Sequence, residues 1–197
     1  MKSNINIPGL SKLKKDLDTM NKDSEIVVKR TISDFKSRAP AWVGAAVTKT
    51  YGISKGDVKG AFKGVKKGIG SIKVSGVEVE NMGLVYEGRT LTPTHFKMKP
   101  TSPPKKRPAP YQITAEIFKG KRLRLSRHAF LATNRGGGYI PFQREGAARY
   151  PIKAIKTVSI PQMLGNETVS KDIMENIETG LEKRVVHHLE QILKKKS

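Results

Sequence analysis

The spacing of apolar positions changes along the chain, and each change marks a new element. From Leu10 onward, apolar residues recur at Leu13, Leu17, Met20, Val27, Ile32 and Phe35. Steps of three, four and seven place most of them on one helical stripe, and Lys12, Lys14, Lys15, Asp16 and Asp18 fill the other side. The spacing predicts a helix over 10–37, with 21–24 as its weak point. Pro40 interrupts the stripe and is expected to open a second helix, since the first turn tolerates a missing N–H. Ala41 to Tyr51 is apolar and helix-permissive; Gly52 is its expected cap and Trp42 its core anchor. Ser54 followed by Asp57 reads as an abbreviated capping box opening a short helix over 55–62.

At Ile69 the period drops to two. Ile72 to Val74, Val77 to Val79, Leu84 to Tyr86 and His95 to Met98 read as strands between short Gly- and Asn-bearing turns. The run 100–110 carries five prolines, which exclude helix and central strand, so it is expected to protrude. Two further strands follow, 111–118 and 122–127, joined by a turn at Gly120. Phe130, Leu131 and Ala132 are expected to pack. Tyr139 to Phe142 is a short extended run, and Pro141 predicts that it lies at an edge or ends early. Its hairpin partner is expected over 155–160. Asn166 then caps a last helix whose stripe is Val169, Ile173, Ile177, Leu181, Val185, Leu189 and Ile192.

These elements predict an α+β fold: a mostly antiparallel β-sheet over 69–160, flanked by long N-terminal and C-terminal α-helices. The chain is read as a single domain over 1–197, with a helical region at 10–62, the Pro-rich basic loop at 100–110 inside the β-rich middle, and the C-terminal helix at 167–195. The 197 residues suffice for one core.

Charge changes the picture most. There are 38 Lys and Arg against 17 Asp and Glu, a net charge of +21. Most of the excess falls between residues 58 and 166. Such a field favours nucleic acid, an acidic protein surface or anionic lipid. No acid separates Asp57 from Glu78, or Glu116 from Glu145. The candidate polyanion contacts are Lys63, Lys66 and Lys67 after the short helix, Lys105, Lys106 and Arg107 on the proline loop, and Lys121, Arg122, Arg124 and Arg127 on the strand that follows. Alternation puts Arg122 and Arg124 on one strand face, and the guanidinium fork suits phosphate. The same residues would serve equally as a solvated sheet face.

Other chemistry finds little footing. The chain has no cysteine, hence no disulfide or thiolate; this fits a reducing compartment. No apolar run is long enough to span a membrane, and the first residues lack the apolar core of a secretory signal. The charge lies mainly outside the helices, which argues against a membrane-surface helix. Gly64 to Ser71 does not meet the phosphate-loop pattern. The helices around Gly52 and Ile53 superficially suggest a helix-turn-helix, but three glycines weaken the second. Glu78 and Glu80 share a strand face without a partner histidine. His187 and His188 are adjacent on a helix, about 100° apart, poor geometry for one metal. No catalytic group, metal or cofactor is expected.

The stretch 136–166 carries the most specific signal. Phe142-x-Arg144-x-Gly146, then Arg149-x-Pro151-Ile152, then Ser159-x-Pro161-Gln162-Met163-Leu164 resembles the prophage minor tail protein Z family of tailed bacteriophages. Arg38 to Trp42, Tyr51 to Lys55, Leu91 to Phe96, the Lys105 block and Ile117 to Gly120 resemble that family's upstream blocks in the same order. The resemblance runs from about Arg38 to Val169. It implies a structural protein of the phage tail, acting in tail completion at the head-proximal end, within the virion and assembled in the host cytoplasm. Implied partners are tail-tube, terminator or neck proteins, the DNA end that enters the tail, and copies of itself in a ring, hexameric where the tail has sixfold symmetry. Charge alone supports a different class: a free, non-sequence-specific nucleic-acid-binding protein. Against it stands the lack of aromatic stacking positions within the basic stretches.

Overall fold

The computed structural model describes residues 2–6, 22–63, 69–75, 83–105 and 111–196. The fold is α+β, with long helices near both ends and antiparallel strands between them. The elements are β1 (Lys2–Asn6), α1 (Lys22–Thr50), α2 (Lys55–Phe62), β2 (Ser71–Ser75), β3 (Gly83–Glu87), β4 (Thr114–Phe118), β5 (Lys121–Arg124), β6 (Phe130–Thr133), β7 (Tyr139–Arg144), β8 (Ile152–Ala154), α3 (Ile160–Leu164) and α4 (Glu167–Lys196). The first part of the expected N-terminal helix, the strand at Val77 and the Glu78/Glu80 pair lie outside the described residues.

Two long helices form the backbone of the molecule. Lys49 meets Asp172 at 3.3 Å, and Asp34 meets Arg184 and His188, so α1 and α4 run antiparallel. Phe35, Ala39, Val43, Ala46 and Val47 of α1 are buried, as are Val169, Ile173, Ile177 and Leu181 of α4. Both sets follow three–four spacing, and burying them is the main stabilisation of the pair. This packing corrects the reading of Pro40. The helix runs through it without restarting, because the buried stripe on either side outweighs the one backbone hydrogen bond that proline cannot make.

Trp42 is half-buried against the core and lies over Gly180 of α4. At an ordinary helix interior, alanine is favoured over glycine by about 1 kcal/mol. Here a Cβ would fall inside contact distance of the indole carbons. Gly180→Ala is therefore expected to lower the unfolding free energy by about 1–2 kcal/mol in urea titration. A gain in stability would show that the indole swings aside at no cost.

The middle of the chain, with β1 from its start, forms three small sheets, ordered β1-β3-β2, β4-β5 and β6-β7-β8, in place of the one sheet expected. β1 is a strand that the hydrophobic pattern did not predict, and it pairs with β3 in antiparallel register. The expected strand at His95 is a 3-10 turn over Pro93–His95, followed by Lys97 with φ of 46°. Phe96 and Met98 are still buried, so the alternation reported burial while the backbone turned. Pro141 also departs from expectation: it sits in β7, the central strand of its sheet. Its carbonyl accepts the Ile155 N–H just beyond the end of β8, so the donor it lacks would face a place where the strand has stopped. At the outer edge of β6, the Leu131 N–H donates to the Tyr111 hydroxyl at 2.8 Å.

The strand expected over 155–160 is instead β8 at 152–154, an extended link, and the short α3. Ser159 caps α3, accepting from the Gln162 N–H, while the Gln162 side chain accepts from the Ser159 N–H at 2.8 Å. Ile160, Pro161, Met163 and Leu164 are buried. Thr157 donates through its N–H to the Leu91 carbonyl at 2.7 Å. Ser54 and Asn166 cap α2 and α4 as expected, accepting from the Asp57 and Val169 N–H groups.

Candidate functional site

The cationic candidates sort into two neighbouring surfaces. The first is the β4–β5 hairpin. Tyr51 bridges Phe118, and the Gly52 N–H donates to the Ile117 carbonyl at 2.9 Å, which ties the hairpin to the end of α1. Thr114 lies opposite Arg124 on one side and Lys99 on the other, so these two cations flank it on one face. The Arg122 guanidinium donates to Thr114 Oγ1 at 3.1 Å and to the Lys97 carbonyl at 3.3 Å. Arg122 and Arg124 thus share a face, as alternation predicted. All four residues of β5 are exposed. The nearest acid, Glu116, is held by the Lys97 ammonium at 2.9 Å and the Gly120 N–H at 3.1 Å. Those two hydrogen bonds, with the Lys97 and Arg122 charges, keep its carboxyl below the usual glutamate range. Glu116 therefore offsets Lys97, and among the described residues Lys99, Lys121 and Arg124 have no ion pair.

The second surface is a groove of about 740 Å3 between the 126–130 segment and the end of β7. Arg127, His128, Arg144, Gln143 and Glu145 line it, over a floor that includes Phe130. The Arg144 guanidinium carbon lies 6.0 Å from the Phe130 ring centroid, within cation–π range. Phe130 in turn stacks on Phe142 at 6.3 Å. Glu145 faces Lys153 at 3.8 Å, so the groove keeps an excess of positive charge. This is the aromatic-and-arginine combination that the basic stretches lack as linear sequence. It arises because β6 and β7 place Phe130 opposite Phe142, with Arg144 two residues on.

Not every candidate joins these surfaces. Lys63 stands apart as the C-cap of α2, and Lys105 is exposed at the end of a described segment. Lys66, Lys67, Lys106 and Arg107 lie outside the described residues. The motif residues form one continuous unit. Phe142 and Arg144 lie on β7, Gly146 and Arg149 in the β7–β8 loop, Pro151 and Ile152 at the entry to β8, and Pro161, Gln162 and Leu164 on α3. Lys99, His128 and Phe130 carry no local signal in the sequence; register alone brings them in.

The same register creates an apolar face. Phe130, Ala132, Ile140, Phe142, Ile152 and Ala154 are cross-strand or alternate neighbours on one side of β6–β8, with Arg144 among them. All six are half-buried, and Phe130, Ile140, Phe142 and Ile152 are not among the residues packed against the buried core. The opposite side sends Leu131 and Pro141 into the interior. The expectation that residues 130–132 pack together thus divides: Leu131 is in the core, and its two neighbours are on the outer face.

Among the described residues no cluster of His, Asp and Glu has the makings of a metal site, and no helix is long and apolar enough to cross a membrane. His188 instead bonds Asp34 at 3.0 Å between the long helices. Comparison of the chain with protein-family models, curated proteins and solved structures finds no match.

Proposed function

We propose that this chain is a structural protein of a bacteriophage tail, acting in tail completion at the head-proximal end and packing against tail-tube, terminator or neck proteins. The observation that carries the reading is the 139–166 unit. The residues that resemble the minor tail protein Z family fold into one continuous hairpin and capped turn that feeds the long C-terminal helix. The cationic β4–β5 face and the groove beside it suit an acidic neighbouring ring or the DNA end. In this reading the chain forms a homo-oligomeric ring in the virion, hexameric to match a sixfold tail, carries no cofactor and catalyses nothing.

One observation favours a second reading. Arg127, Arg144 and Phe130 in one groove provide charge and a stacking surface, the elements of sequence-independent nucleic-acid binding. The two readings part under one variant. Replacing Arg122, Arg124, Lys105 and Lys106 together by glutamine is expected to abolish completion of tails that lack this component, while leaving the thermal unfolding curve in place. Full tail completion and DNA passage by that variant would overturn the proposal. Loss of salt-sensitive duplex binding with tail completion intact would favour the free nucleic-acid binder.

A further inference from the structure

The helix α4 turns a second kind of surface to solvent. Its buried stripe runs through Val169, Ile173, Ile177 and Leu181, and the opposite side carries Glu175, Glu182 and Glu190, with half-buried Glu178 at its margin. Among the described residues none of these four has an ion pair. Two large apolar side chains stand exposed on the same side, Val186 at 54% between Glu182 and Glu190 and Leu193 at 68% just beyond Glu190. A solvated helix face needs no such residues, and on a protein of net charge +21 an unpaired acidic stripe is the exception. Its complement is on the same chain: the half-buried apolar face of β6–β8, with Arg144 on it, Arg127 in the groove beside it and Arg149 in the β7–β8 loop.

We infer that the outer stripe of α4 on one copy docks onto the β6–β8 face of the next copy, in a head-to-tail contact. Three features fit. The charges are largely opposite, glutamates outnumbering Lys183 on the outer side of the helix and arginine on the sheet. The lengths agree: Glu175 to Glu190 spans about 22 Å of helix, and the six residues of β7 about 20 Å of strand. A helix laid on an apolar sheet face is also an ordinary packing layer. The main neighbours of α4 within the chain are α1 and α3, so its outer stripe does not fold back on that sheet. Because the two surfaces differ, the contact is heterologous. Repeated, it closes a ring if the rotation per copy permits and otherwise grows a filament. The inference deepens the homo-oligomer of the proposed function, but its test uses neither tails nor DNA, so the two can fail separately.

The test is sedimentation velocity on the full chain and two variants, at low and moderate salt. Wild-type mass is expected to rise with concentration and to fall as salt screens the contact. Glu182→Lys with Val186→Lys on α4, and separately Arg144→Glu on β7, are each expected to weaken association by about tenfold or more. All three positions are exposed, and unchanged circular-dichroism melting checks that both variants fold. The decisive sample is a mixture. Each variant keeps one intact surface, so together they are expected to form a dimer and stop there. Wild-type protein that stays monomeric at its highest soluble concentration would overturn the inference. So would a mixture that stays monomeric while wild type associates, or association that appears only when nucleic acid is added.

Discussion

Gly52→Ala is expected to destabilise the protein by about 3 kcal/mol, among the larger effects open to a single methyl group. A Cβ at this position would overlap the carbonyl oxygen of Glu116 and lie 2.9 Å from its carbonyl carbon. The obstacle is backbone and cannot rotate away. The end of α1 and β4 touch here through the Gly52 N–H to the Ile117 carbonyl and the Lys119 N–H to the Thr50 carbonyl, both 2.9 Å. Tyr51 stacks on Phe118 beside them at 5.4 Å. Room for a methyl requires the hairpin to move off the helix, which breaks those hydrogen bonds and part of the stack. Gly146→Ala is the control: nothing lies within 4 Å of its added Cβ. That variant is expected to stay within about 0.5 kcal/mol of wild type in denaturant unfolding. Equal effects at the two glycines would refute the account. Since β5 rides on β4, the same variant should also displace Arg122 and Arg124 from the face they share with Lys99.

The second large effect is expected at Asp34. Its carboxylate sits between the long helices, accepting from the Arg184 guanidinium, with His188 Nε2 at 3.0 Å and Arg38 at 3.8 Å. Burial pushes its pKa up, but the hydrogen bonds and charges of Arg184 and His188 outweigh burial and hold it below the usual aspartate range. A depressed carboxylate stabilises the fold above its unfolded pKa and loses that contribution as pH falls through the folded value. Asp34→Asn is expected to cost about 2 kcal/mol at neutral pH, less than a fully buried pair would, because the site is partly open to water. The gap between wild type and variant should hold steady down to about pH 4, the ordinary aspartate range, and close below it. A gap independent of pH would mean that shape, not charge, joins the helices there.

How much of this was legible beforehand depended on how local the cause was. Ser54 and Asn166 announce their helices because a cap is a contact between neighbours in sequence. Ser159 and Gln162 carry the same kind of signal, a serine three residues before a glutamine, and α3 could have been read from it. Pro40 went the other way: its local rule is sound, but the buried stripe of Phe35, Ala39 and Val43 against α4 outweighs it, and that stripe's partner lies at the far end of the chain. The division of the middle into three sheets was not legible, since alternation reports which residues face inward but not which strands pair. The cationic groove stayed hidden for the same reason. Arg127, Phe130 and Arg144 meet only through the register of β6 on β7, and no spacing in the sequence encodes a register.

The bond from the Leu131 N–H to the Tyr111 hydroxyl has a consequence for keeping many copies soluble together. β6 is the rim of its sheet, and Leu131, opposite the donor-less Pro141, turns its backbone N–H outward. An open rim of that kind is a template on which a foreign strand can continue the ladder, the first step toward aggregates. The phenol fills that position with a group that cannot be extended. That donor is closed to a foreign strand, so a ladder added at this rim would lack its Leu131 rung.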